Sequence, residues 1–165
     1  MTKSLLVVRH AKSDWKVDVS DFDRPLNHRG FEDAPKMAKN ILKKGVIINQ
    51  IISSPAIRAF STAKLIAENW DFDVKKIVLN QEIYEASVQT LLKIVNEIDS
   101  KINSVALFGH NSGITDFVNY LSNAEIANIP TCGAVLISFP FDDWKMISKN
   151  TGELLFFDYP KNIED

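Results

Sequence analysis

The chain has 165 residues, 45% of them apolar and 24% charged, with a formal net charge of −2. That length suits one domain spanning 1–165, able to bury roughly 70% of its unfolded surface, and the slightly acidic balance gives no support to nucleic-acid binding. The single cysteine, Cys132, excludes an internal disulfide framework and fits a reducing compartment; with no apolar run near the ~20 residues of a membrane span, and Met1-Thr2-Lys3 leading straight into a strand, a cytoplasmic monomer without a membrane partner is expected.

Leu5-Leu6-Val7-Val8 is a continuous apolar run that reads as a strand buried on both faces. It stops at Arg9-His10. A guanidinium is shaped for bidentate contact with phosphate, and an imidazole can serve as nucleophile or acid–base group near neutral pH. In open α/β sheets, sites form just beyond the carboxyl ends of strands, where these two residues lie. On this stretch alone, a strand ending in solvent would look the same. Arginine is scarce: of 19 cationic residues only Arg9, Arg24, Arg29 and Arg58 are arginines, so each raises the question of what a planar fork does there.

Asp21 to Asn27 is turn-rich, and Arg24 and Arg29, with Asp21 and Asp23 nearby, read as surface pairs that fix a loop. Phe31, Ala34, Ala38, Ile41 and Leu42 lie at helical spacing, with Gly45 as a stop; Pro35 predicts a start near Ala34 or a kink. Gln50–Ser53 is the second predicted strand. Ser54 then reads as a helix N-cap and Pro55 as the first helical residue, with Phe60, Ala63, Ile66, Ala67 and Trp70 on the buried face. Arg58 falls in the first turn, where a cation opposes the helix dipole. Either it turns to a carboxylate or solvent, or it joins the free N–H groups in holding an anion.

A third strand is expected near Lys76–Leu79, then Glu82 and Glu85, either of which can be a surface residue or a general acid. A helix follows with Val88, Leu91, Leu92, Val95 and Ile98 buried. Ser104–Phe108 is the fourth strand, ending in Gly109-His110-Asn111-Ser112-Gly113, whose glycines allow unusual turns or close approach to a ligand. A helix through Ile114, Phe117, Val118 and Leu121 comes next. Ala134–Phe139, Trp144–Ile147 and Leu154–Phe157 read as strands, two of them joined without a helix and so antiparallel. Lys161 to Asp165 is expected to fray.

Three strand ends thus deliver Arg9, His10, Arg58 and His110 to one side of a sheet. Two arginines suit a dianionic phosphate, one histidine can attack it and the other can donate to its oxygens. Neighbouring arginines repel a cation and no ligand spacing is present, so neither a metal nor another cofactor is expected.

These stretches resemble known motifs. Leu6-Val7-Val8-Arg9-His10-Ala11 resembles the Arg-His-Gly signature of the histidine phosphatase superfamily, with Ala11 in place of glycine. Ser53-Ser54-Pro55-Ala56-Ile57-Arg58-Ala59-Phe60-Ser61-Thr62-Ala63 is similar to its second motif and Gly109-His110-Asn111-Ser112-Gly113 to its third. Asp23-Arg24-Pro25-Leu26 with Arg29-Gly30, and Ile83-Tyr84-Glu85-Ala86, resemble the short bacterial phosphohistidine phosphatases of the SixA type. The resemblance implies an α/β three-layer sandwich of the phosphoglycerate mutase-like kind, a mixed, mainly parallel sheet flanked by helices. It implies His10 as nucleophile, Arg9, Arg58 and His110 (with Asn111 beside it) as phosphoryl ligands, and Glu85, with Glu82 second, as acid. The expected substrate is a phosphorylated protein, most simply phosphohistidine, or a small phosphate ester. A noncatalytic phosphate-recognition module is the reading from another class.

Overall fold

The computed structural model describes residues 2–163. Its sheet has six strands: β1 (Lys3–Arg9), β2 (Gln50–Ser53), β3 (Val78–Leu79), β4 (Ser104–Gly109), β5 (Ala134–Phe139) and β6 (Glu153–Asp158). Their spatial order is β3-β2-β4-β1-β5-β6. β1, β4, β2 and β3 run parallel, while β5 and β6 are antiparallel additions on the far side of β1. The helices are α1 (His28–Lys43), α2 (Ile57–Asn69), α3 (Val88–Asn96) and α4 (Gly113–Leu121).

β1 shows why two helical layers form. Successive strand side chains point to opposite faces. Leu5 and Val7 therefore join a core with Leu91, Val95, Phe117 and Leu121 of α3 and α4, while Leu6 and Val8 join another with Met37, Ile41, Ile66 and Ala67 of α1 and α2. Burial on both faces makes β1 and its parallel neighbour β4 the rigid centre of the sandwich.

Several sequence expectations need correction. Helix α1 begins at His28, capped by the Asn27 side chain, which accepts from the Gly30 N–H at 2.9 Å, and Pro35 lies inside it. A good cap outweighs the proline as a start signal. The buried stripe is Ala34, Met37, Ala38 and Ile41, whereas Phe31 and Leu42 are half exposed. Gly45 ends the helix with φ of +80°, the left-handed conformation that favours glycine. Helix α2 starts at Ile57, with no side-chain cap; Phe60 and Trp70 are only partly buried. The third strand is just Val78–Leu79, preceded by a 3-10 turn. α3 stops at Asn96, although Ile98 beyond it is buried; Val88 and Leu92 pack only at the core's margin.

Trp144–Met146 is a 3-10 turn instead of a strand. Trp144 and Ile147 are buried and Met146 is exposed, an i, i+3 pattern that belongs to a 3-10 helix and that no strand can satisfy. Pro160–Asn162 also forms a 3-10 turn, held by Asn162 Nδ2 donating to Asp158 Oδ1 at 3.0 Å, so Lys161–Ile163 does not fray. Met1 and the tail residues Glu164 and Asp165 lie outside the described residues.

Candidate active site

The carboxyl ends of β1 and β4 lie side by side, Arg9 opposite Gly109, so the residues that follow each strand emerge together. The His10 N–H donates to the Gly109 carbonyl at 3.2 Å and its own carbonyl accepts from the Cys132 N–H at 3.0 Å, which pins the His10 backbone on both sides. His10 is 7% exposed, and its Nδ1 lies 2.7 Å from the Ala11 carbonyl oxygen. A carbonyl only accepts, so Nδ1 carries the proton and Nε2 keeps its lone pair. Burial pushes the His10 pKa down to about 3, against the hydrogen bond to Ala11, and the charges of His110, Arg58 and Arg9 add to the fall. A neutral imidazole of fixed tautomer is what a nucleophile requires.

Ala11 occupies its position without a left-handed backbone, so a methyl group is tolerated where the related motif has glycine. The glycines around His110 are required by packing. A side chain at Gly113 would meet the Ala86 carbonyl oxygen at 2.5 Å, and neither Gly109 nor Gly113 has positive φ.

His110 sits with its ring 5.3 Å from that of His10 and edge-on to Tyr84 at 5.5 Å. Its Nε2 is 2.8 Å from Ser54 Oγ. Ser54 is therefore not the cap of α2; its hydroxyl accepts from the Ala56 N–H at 3.2 Å in a local turn and faces the histidine. When the hydroxyl donates to Nε2, the His110 proton resides on Nδ1 as a donor. Burial first, then Arg58, pushes the His110 pKa down to about 4.

Arg58 turns to a carboxylate, the first of its two readings. It is 5% exposed, its Nη2 lies 3.0 Å from Asp21 Oδ2, and its Nη1 donates to the Asp21 carbonyl oxygen at 2.5 Å. Its carbonyl accepts from the Thr62 hydroxyl, and Thr62 Oγ1 accepts from the Ala11 N–H at 2.9 Å, tying α2 to the β1 turn. Arg9 Nη1 donates to the Ile129 carbonyl at 2.9 Å, and burial lowers its pKa. Among the described residues, the buried side-chain polar atoms without a hydrogen-bond partner are Arg9 Nε, Arg58 Nε and His110 Nδ1. All three belong to the walls of one cleft of about 560 Å³, with His10. Unpaired buried donors are rare and costly, so a cluster around a neutral histidine points to an anionic ligand.

Trp15, Asp21, Arg24 and Tyr84 form the rim of the cleft. Arg24 does pair with Asp21 in the loop, from Nη1 to Oδ1 at 2.6 Å, but it is not at the surface: it is 7% exposed, donates from Nε to Ser13 Oγ at 2.8 Å and stacks on Trp15 at 3.6 Å. Tyr84 donates its hydroxyl to Asp21 Oδ2 at 2.5 Å. That bond, followed by those from Arg24 and Arg58, holds the Asp21 carboxyl well below the usual range and raises the tyrosine. Arg29 does not fix the loop: it pairs within α1 with the buried Asp33 at 3.0 Å. Glu85 lines the cleft with φ of +56°, strained for a non-glycine residue, whereas Glu82 is exposed and not part of the wall. Asn111 lines it too, but its amide donates to Asn128 Oδ1 and to the Ile129 carbonyl, so it braces the loop that holds Arg9. Among the described residues no His, Cys, Asp or Glu cluster forms a metal-ligand set, and no helix is long and apolar enough to cross a membrane.

A family model described as the histidine phosphatase superfamily (branch 1) matches residues 5–105. The chain belongs to the histidine phosphatase superfamily. It is a phosphatase with the phosphoglycerate mutase-like α/β fold. An uncharacterised chloroplastic protein of Arabidopsis thaliana is 29% identical over 154 residues, covering 88% of this chain and 70% of the plant protein. A crystal structure of a candidate phosphohistidine phosphatase SixA from Agrobacterium tumefaciens superposes with a TM-score of 0.80 at 25% identity, covering 96% of this chain and 98% of that one. The corresponding SixA candidate from Nakamurella multipartitia has the same fold, with a TM-score of 0.81 at 18% identity and 97% coverage of both chains.

Proposed function

We propose that this histidine phosphatase is a single-domain, metal-independent enzyme that removes the phosphoryl group from phosphohistidine on a protein. The observation that carries the reading is the set of three unpaired buried donors, on Arg9, Arg58 and His110, around a neutral His10 with Nε2 free. They would hold the phosphoryl oxygens while the Nε2 lone pair attacks phosphorus. The substrate P–N bond breaks and the leaving imidazole then takes a proton from water in the open cleft. Water then attacks the phosphohistidine on His10, the N–P bond to the enzyme breaks, and inorganic phosphate leaves with His10 neutral again.

Two features favour a protein-borne phosphoramidate over a small ester. Trp15, Asp21 and Glu85 at the rim are exposed, so the cleft opens to a side chain presented by another molecule. An alkoxide leaving group needs a positioned acid, whereas an imidazole departs readily. Glu85 is the proposed acid where one is required; Asn111 supports Arg9 through Ile129. The test is hydrolysis of phosphohistidine peptides against phosphotyrosine peptides and alkyl phosphates, with and without excess EDTA. Preference for phosphohistidine and indifference to EDTA are expected; preference for a sugar phosphate, or metal-restored activity, would overturn the reading.

A further inference from the structure

Beside the active cleft lies a smaller one of about 220 Å³, and Lys12 and Thr131 line both. The remaining walls carry Arg29, Asp33 and Lys161, with Pro130, Tyr159 and Pro160 supplying apolar surface. Asp33 is the one carboxylate there, and it is already paired through Oδ1 with Arg29 Nε. Neither Lys12 nor Lys161 has an ion-pair partner among the described residues, and both Nη atoms of Arg29 are likewise unengaged. A chain of net charge −2 thus gathers three cations against one carboxylate, in continuity with its phosphate cleft.

We propose that this second cleft is a subsite for an acidic side chain of the substrate protein, carried close to the phosphohistidine that enters the first. The inference rests on the phosphohistidine reading and adds a sequence preference to it. The volume is below the roughly 300–1,000 Å³ of sites that enclose a separate small molecule, and suits a single side chain with its methylenes against Pro130, Tyr159 and Pro160. The charge argues for glutamate or aspartate, since the Arg29 fork and two ammonium groups match a carboxylate. The wall is held rigid. Asp158 accepts from Asn162 Nδ2 and from the Tyr159 N–H, each at 3.0 Å, and from Asn40 Nδ2 at 2.7 Å, which anchors the turn bearing Lys161 to α1.

The experiment uses two peptides carrying a non-hydrolysable phosphonate mimic of phosphohistidine, one with glutamates and one with glutamines at the two positions on each side. Calorimetric Kd values are measured for the wild-type chain, Lys161→Glu and Arg29→Gln; the latter removes charge yet can still donate to Asp33. Wild type is expected to bind the glutamate peptide about tenfold more tightly at low salt, and the preference should fall to about one in Lys161→Glu and shrink in Arg29→Gln. Equal affinities in the wild type, no binding of either peptide, or a preference unchanged in both variants would overturn the subsite. So would a small bisphosphate that loses affinity in Lys161→Glu while the peptides show no preference. Turnover of authentic phosphohistidine peptides, followed in parallel, separates the two claims. No turnover with the preference retained would remove the phosphohistidine reading alone; turnover without preference would remove the subsite alone.

Discussion

Arg58 Nη2 and Asp21 Oδ2 are 3.0 Å apart at the mouth of the cleft, and Arg58 Nη1 donates to the Asp21 main-chain carbonyl, so one residue of the protein itself holds both terminal nitrogens of an arginine whose buried Nε has no partner. Arg24 Nη1 is held by the other oxygen of the same carboxylate. Asp21 orients two cations and at the same time opposes an incoming anion.

Asp21→Asn separates those effects, because the amide oxygen can still accept from an arginine while the charge is gone. At about 4 Å in a water-filled mouth, removing one repulsive unit charge amounts to about 1 kcal/mol. The expected result is about fivefold tighter binding of inorganic phosphate, measured as the product-inhibition constant. Weaker binding would show that ionic orientation of Arg58 and Arg24 outweighs the repulsion.

Arg58→Ala is expected to abolish measurable phosphate binding. Its place in the first turn of α2 opposes the helix dipole, so sequence alone suggests an unchanged or slightly more stable fold. The structure reverses that sign: the buried guanidinium bonds Asp21 twice, and its loss is expected to lower stability by about 1–2 kcal/mol in denaturant unfolding. A more stable variant would place the dipole term above those bonds.

The two active-site histidines make stability depend on pH. Both folded pKa values lie below the ordinary 6.5, His10 at about 3 and His110 at about 4. Between those values and 6.5 the unfolded chain binds more protons, so stability rises with pH across that window and is lost as pH falls through it. Replacing His10 with glutamine should flatten this part of the stability–pH curve. Activity toward an aryl phosphate, corrected for substrate ionisation, should have no enzyme pKa near 6.5 on its acid limb. A limb at 6.5 would mean a solvated, ordinary His10.

Much of this site is legible in the sequence because it stands at strand ends. An apolar run that breaks into Arg9-His10, and another that breaks into Gly109-His110, fix position through backbone geometry alone. The rim is not legible in that way. Asp21, Arg24 and Tyr84 meet only because the loop before α1 folds back over β1 and onto a turn 63 residues from Asp21. One signal was present: three of the four arginines, Arg9, Arg24 and Arg58, line the cleft. Ser54 is not legible for a related reason, since a serine before proline makes a good cap locally, and only the arrival of His110 gives its hydroxyl another partner. The Trp144 segment is ambiguous in sequence because Trp144, Met146 and Ile147 are all apolar, so only the observed burial of Trp144 and Ile147 with Met146 exposed separates i, i+3 from alternation.

Glu85→Gln tests the acid. It should slow alkyl phosphomonoesters by about 10²-fold or more in kcat/KM and phosphohistidine peptides far less, because only the alkoxide requires a proton in the transition state. Equal losses on both substrates would remove Glu85 as the leaving-group acid.

On the proposed mechanism the phosphoryl group passes through His10 Nε2. Rapid acid-free quench of the enzyme with labelled phosphohistidine peptide, followed by proteolysis and mass spectrometry, reads it directly. Alkali-stable, acid-labile phosphate on the His10 peptide, attached at Nε2 and absent from His10→Ala, is the predicted result. Wild-type turnover by His10→Ala, or label trapped on His110 instead, would contradict it.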